Sequence, residues 1–268
     1  MHEVTDTITG AKGKLFVRTW QADEGRFVVL LAHGVGEHTG RYAHVAEHLL
    51  AHGALAVSGP DHLGHGESEG SRSDFDDVDV MVEDLHLVAD RLRAQHQGAP
   101  MVLVGHSLGG IIATRFAQKY GAELTALVLS APVIGGNPGF EALLAMDPMP
   151  DVPLDPAALS RDPAVGEAYA ADPLVHHGPL TRNTLQAIFT AVDRVAADGS
   201  LGDLPTLWIH GENDPLAPYD VTATAFETVG GSHLEQKVYP GAMHEIFNET
   251  NKDEVLEDVT DFLDKHVK

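Results

Sequence analysis

Three residues of this chain combine types and surroundings suited to nucleophilic chemistry: Ser107, Asp214 and His244. Ser107 lies in Gly105-His106-Ser107-Leu108-Gly109, a G-x-S-x-G pattern. Before it comes a short apolar run ending at Val104. After it, Leu108 to Tyr120 carries apolar residues at helical spacing. A strand that turns at once into a helix strains the backbone at the corner and thrusts the corner side chain outward. Gly105 and Gly109 would then be pressed between strand and helix, where no larger residue has room. A serine at that corner sits at a helix N-terminus, whose free N–H groups favour a developing oxyanion.

A serine hydroxyl needs a base to take its proton and a carboxylate to orient the base. Asp214 follows the apolar run Leu207-Trp-Ile-His210 through the turn Gly211-Glu-Asn-Asp-Pro215. His244 follows a run ending at Tyr239 through Pro240-Gly-Ala-Met-His244. Both positions fall just beyond strand ends, where open α/β sheets place their ligands. Glu212 is the nearby rival acid, and the Asp-Pro corner favours Asp214. The oxyanion would be held by two backbone N–H groups. One is that of Leu108, next to the nucleophile; the other is that of Val35, in the turn His33-Gly34-Val35-Gly36 after the run Phe27 to Ala32.

The elements that must position these groups are legible in outline. Val4 to Thr9 and Lys14 to Trp20 read as a hairpin. Phe27–Ala32, Ala54–Ser58, the run to Val104, Leu124–Ser130, Thr206–His210 and Leu234–Tyr239 read as strands, with helices over Arg41–His52, Val78–Gln97, Leu108–Tyr120, Tyr219–Val229 and Asp253–His266. Strands alternating with helices imply a doubly wound, mostly parallel sheet with helices on both faces. The alternation stops at Ala131. From there to about Leu204 the chain is proline-rich and shows no strand, with one longer helix candidate at Thr181–Ala197. Residues 1–130 and 205–268 are therefore expected to form the core and 131–204 a helical cap over the strand ends. In the cap, Phe140, Leu143, Leu144 and Met146 form an apolar stripe beside Met149 and Val152 that either packs as core or in part lines an acyl tunnel or touches micelles or a membrane surface. Ile188, Phe189 and Val192 are expected to face the sheet, and Tyr169, His176 and His177 to meet the substrate or solvent.

His33-Gly-Val-Gly-Glu-His-Thr-Gly-Arg-Tyr42, Asp61-His-Leu-Gly-His-Gly-Glu-Ser68, Gly105-His-Ser-Leu-Gly-Gly110 and Asp172-Pro-Leu-Val-His-His-Gly178 resemble the monoacylglycerol lipase and lysophospholipase family of α/β-hydrolases. Gly211-Glu-Asn-Asp-Pro215 and Tyr239-Pro-Gly-Ala-Met-His-Glu-Ile-Phe-Asn-Glu249 continue the match. The resemblance implies an eight-stranded sheet with one antiparallel strand, a mobile cap, and hydrolysis of a single-chain glycerol ester by a serine esterase. It also implies that Glu37 and Arg41 lie near the polar head of the substrate. Many members carry Met after the nucleophile; Leu108 here keeps the N–H donor and reshapes the pocket floor. Other readings on the same residues are a lysophospholipase, a broad short-chain carboxylesterase, or a ligand-binding protein with a vestigial triad.

Composition narrows the classes further. The 268 residues are 43% hydrophobic and 21% charged, enough for one sizeable domain. Forty acidic against 17 basic residues give a net charge of −23, which repels nucleic acid and anionic lipid headgroups. With no cysteine, disulfides and thiol nucleophiles are excluded. The absence of a long apolar run or a signal-like start sets the expectation of a cytoplasmic protein. The chemistry requires no metal or cofactor. His44, His48 and His52, spaced by four, are expected to form an exposed polar helix face rather than a metal site. The base predicts activity that falls as pH drops through an imidazole pKa of about 6.5.

Overall fold

A computed structural model describes residues 1–268. Eight strands form one sheet: β1 (His2–Thr9), β2 (Lys14–Gln21), β3 (Phe27–Ala32), β4 (Ala54–Pro60), β5 (Met101–His106), β6 (Ala126–Ser130), β7 (Thr206–Gly211) and β8 (Leu234–Tyr239). Their spatial order is β1-β2-β4-β3-β5-β6-β7-β8. Only β2 runs against its neighbours; every other pairing from β4 to β8 is parallel. The helices are α1 (Ala43–Ala51), α2 (Val78–Gln95), α3 (Leu108–Tyr120), α4 (Pro138–Leu144), α5 (Pro163–Ala171), α6 (Arg182–Asp198), α7 (Tyr219–Val229) and α8 (Lys252–His266).

The period-2 alternation of a strand splits each central run between two cores. Val28, Leu30 and Ala32 of β3 join a cluster with α2, α3, α6 and α7. Phe27, Val29 and Leu31 join the opposite cluster, with α1 and α8. Strands buried on both faces are therefore near-continuously apolar, as β3, β5 and β6 are. Each fully buried Leu or Val contributes about 2 kcal/mol of burial free energy.

Strand order reverses beside β3, whose neighbours are β4 on one side and β5 on the other. The crevice beyond the strand ends opens at such a reversal. The register pairs Ala32 with Gly105, so the turn after β3 and the corner after β5 emerge side by side. Between β6 and β7 the chain has only helical pieces and one isolated bridge, Pro153 to Pro179. Asn137, Asp162 and Thr181 cap α4, α5 and α6, with proline in the first turn of the first two.

Some expectations need adjustment. The helix expected from Arg41 begins as a 3-10 turn, Thr39–Tyr42, because the His38 ring accepts from Gly40 N. Helix α4 ends at Leu144, which leaves Met146 outside it and 49% exposed. The histidine face of α1 is half covered: His44 Nε2 meets Phe247 O at 2.8 Å, and His48 stacks on His52. No helix is long and apolar enough to cross a membrane.

Candidate active site

Ser107 has φ 56° and ψ −117°, a conformation that costs a non-glycine residue on the order of 1–3 kcal/mol. The surroundings hold it there. Ser107 N donates to Ser130 O, and Ser107 O accepts from Gly110 N. A Cβ on Gly105 would lie 2.3 Å from Gly109 O, and one on Gly109 would lie 2.0 Å from Ala32 O. Only glycine lets strand and helix approach so closely, which explains the spacing of the motif.

Asp214, on the loop after β7, and His244, on the loop after β8, both reach this corner. His244 Nε2 is 2.9 Å from Ser107 Oγ and His244 Nδ1 is 2.7 Å from Asp214 Oδ2. All three side chains are buried. Asp214 Oδ1 also accepts from the N–H groups of Leu216 and Ala217, which fixes the carboxylate plane. Glu212, the rival acid, accepts from Gly241 N on the surface instead. Burial alone would lower the His244 pKa, but the Asp214 carboxylate, helped by Glu245 and Glu37, outweighs it. The imidazole is thus held above its usual 6.5, a correction to the value expected from sequence. Asp214 goes the other way: burial opposes its charge, and His244 more than compensates, so it stays ionised below the usual carboxylate range.

Val35 and Leu108 both line the cavity above Ser107. The Leu108 N–H opens α3 and has no acceptor in a preceding turn. The Val35 N–H donates to no other group of the protein. Their turn is pinned by Glu37, which accepts from Gly34 N at 2.7 Å, Tyr42 Oη at 2.6 Å and Arg41 at 2.7 Å. Burial would push this carboxyl up; Arg41 foremost, with His106, Tyr42 and Gly34, holds it below the usual range.

The cavity has a volume of about 50 Å³, and 13 of its 20 lining residues are hydrophobic. Gly34, Glu37 and His106 line it beside Ser107, with Tyr169 and Glu245 also in the lining; Ile111, Leu185, Ile188 and Phe189 are among its apolar residues. Three residues expected at the substrate lie elsewhere. Leu143 lines an outer, open groove rather than this cavity. His176 turns away because its ring bonds Pro179 O, while its N–H is tied to Gly36 O. Arg41 sits behind the lining, held bidentately by Glu245 at 2.6 and 2.7 Å and stacked over Tyr169.

Sequence reasoning missed Glu245 and His106 as lining residues. Glu245 had one available signal, its place beside the base. His106 had none, since its role follows from Ser130, which bonds its Nδ1 from the next strand. Burial and the neighbouring His244 push His106 down to about 4, so it is neutral. Gly211 was also overlooked: a Cβ there would lie 2.1 Å from Met243 O, so this glycine lets the loop of the base cross that of the acid.

Comparison with known proteins agrees with this geometry. Residues 23–251 match the family model described as Hydrolase_4, serine aminopeptidase S33. The chain is 37% identical over 258 residues to a monoacylglycerol lipase from Mycolicibacterium smegmatis, covering 92% of each. It is 31% identical to the human monoglyceride lipase, covering 88% of this chain and 81% of that one. The crystal structure of a monoacylglycerol lipase from Paleococcus ferrophilus superposes with a TM-score of 0.80 at 28% identity, over 94% of this chain and 99% of that one. With its mostly parallel sheet and a family match spanning both sides of the 131–204 segment, the chain belongs to the Hydrolase_4 family and has the α/β-hydrolase fold.

Proposed function

We propose that the protein hydrolyses monoacylglycerols to fatty acid and glycerol through an acyl-enzyme. The observation that carries this reading is Ser107 Oγ, 2.9 Å from its base, in a mostly apolar cavity whose lining also includes Glu37 and Glu245. His244 Nε2 takes the Ser107 proton as Oγ attacks the ester carbonyl. The Val35 and Leu108 N–H groups receive the tetrahedral oxyanion, and Asp214 stabilises the imidazolium. His244 then protonates the glycerol oxygen that leaves, and activates the water that releases the fatty acid. The acyl chain lies toward Ile111, Leu185 and Phe189, and the polyol toward Glu37, Glu245 and Tyr169. Residues 131–204 act as the cap, since Phe140, Leu154, Leu159 and Tyr169 from this segment roof the cavity.

The charge of the polar part favours glycerol over a phosphate-bearing head. No lysine or arginine lines the cavity, His106 is neutral, and the carboxylates of Glu37 and Glu245 face it. A lysophospholipid phosphate placed there would have no cation in the lining to meet. An α-ammonium group would fare little better, because both carboxylates are already paired with Arg41.

A hydrolysis panel of mono-, di- and triacylglycerols, lysophosphatidic acid and p-nitrophenyl butyrate tests this. Monoacylglycerol should show the highest kcat/KM. Ser107→Ala should cut kcat by about four orders of magnitude or more and abolish labelling by a fluorophosphonate. A preference for lysophosphatidic acid, or an active Ser107→Ala, would refute the reading. A preference for butyrate would make the protein a short-chain carboxylesterase.

A further inference from the structure

Behind the acid of the triad lies a second imidazole. His210 is the penultimate residue of β7, fully buried, with Nε2 2.7 Å from Ala217 O and 3.5 Å from Asp214 Oδ2. Trp208, two residues earlier and so on the same strand face, donates its indole N–H to His210 Nδ1 at 2.9 Å. An indole nitrogen can only donate, so Nδ1 must be the bare, accepting nitrogen. The proton is therefore on Nε2, which points at the Ala217 carbonyl and, more distantly, at the Asp214 oxygen that also binds His244. A doubly protonated ring would set two N–H groups against one another at the indole, so the arrangement holds only for the neutral ring.

We propose that His210 is a positioning residue for Asp214: its Nε2–H pins the loop that carries the acid at Ala217 and caps the outer side of the carboxylate oxygen that orients the base. This deepens, and rests on, the reading of Ser107, His244 and Asp214 as the catalytic triad. The physical basis is that the two N–H groups that fix the carboxylate plane, those of Leu216 and Ala217, belong to the loop that His210 ties at Ala217 O, and that Asp214 Oδ2 has one strong partner, His244. The groups facing His210 are Trp208 on its own strand, Asp214 and Ala217 on the loop, and Tyr219 of α7. Those facing His244 are Asp214, His106, Glu245 and Glu37. Removal of the His210 N–H should thus loosen the acid and, because the Asp214 carboxylate is what holds the base above its usual value, shift the titration of the base downward.

The test compares His210→Leu, which fills the space without a donor, with His210→Gln, whose amide can donate from near the Nε2 position. The pH dependence of kcat and KM for p-nitrophenyl butyrate is measured for both, with thermal melting to check folding. His210→Leu should lose about tenfold in kcat with KM little changed, and its acidic limb should move to lower pH. His210→Gln should recover most of the rate. Equal loss in both variants with the wild-type pH profile would show that the ring only fills space, and overturn the proposal; so would an unchanged His210→Leu. If neither variant folds, nitrogen-15 spectra of the histidines in the wild-type protein decide. His210 should remain a neutral Nε2–H ring from about pH 5 to 8, and an Nδ1–H ring or a protonated one refutes the assignment. Failure of the triad itself has a different signature, an active Ser107→Ala.

Discussion

Arg41 illustrates how one residue can serve a site it does not touch. Its guanidinium joins Glu37, which pins the oxyanion turn, to Glu245, which follows the base. The three side chains are nearly sealed from solvent, so removal of the cation strands two buried carboxylates. Arg41→Met should therefore cost about 3–5 kcal/mol in a urea titration, as expected for a broken buried ion pair. A second effect concerns the base. In the proposed mechanism His244 works as its neutral form, and it is held above the usual imidazole value, so the acidic limb of kcat/KM should have its midpoint above about 6.5 in the wild type. Two uncompensated carboxylates nearby would favour the imidazolium further and move that limb to still higher pH in Arg41→Met. A wild-type midpoint below 6, or a limb that stays put in the variant, would contradict this electrostatic account.

At the level of elements, the site depends on how closely three loops approach one another. Gly211 ends β7 under the Ala242 and Met243 carbonyls, backbone atoms that cannot swing aside. Gly211→Ala should separate the acid and base loops and reduce kcat by well over tenfold while leaving KM within about twofold. Steady-state kinetics check it; Gly121→Ala, at a position with nothing within 4 Å of the added atom, should be nearly neutral. The roof sets a different property. Phe140, Leu154 and Leu216 line both the inner cavity and the open outer groove, and so form the partition between them. Phe140→Ala should join the two spaces and let longer chains extend outward. A p-nitrophenyl ester series should then favour palmitate over butyrate more than the wild type does, since each buried methylene contributes about 0.8 kcal/mol. A chain-length profile identical to wild type would mean that Phe140 bounds nothing. The strands, and the meeting of Ser107, Asp214 and His244, were readable from sequence because they obey local rules: glycine crowding at Ser107, a turn after each strand, a period of two in the apolar runs. Leu143 and His176 were not, because which face of a proline-rich segment looks inward depends on packing that no local rule encodes.

Across the whole molecule, the architecture was legible from the alternation of strands and helices, and the strand reversal beside β3 then dictates where the crevice must open. What could not be read is how the 131–204 segment fastens to the rest. It does so in two ways. Helix α6 packs into the main core over α2 and α3. Farther along the rim, the stretch around 158–161 is bonded directly to the loop of the base: Glu245 N donates to Leu159 O at 2.7 Å, and Arg161 pairs with the buried Glu249, which also accepts from Met243 N. The roof and the general base thus share a scaffold. A roof transplanted from a relative to change acyl preference would import a foreign strut under His244, so such grafts should keep residues 158–161 from the host. Otherwise, an engineer seeking a new substrate would lose turnover for reasons unrelated to the substrate.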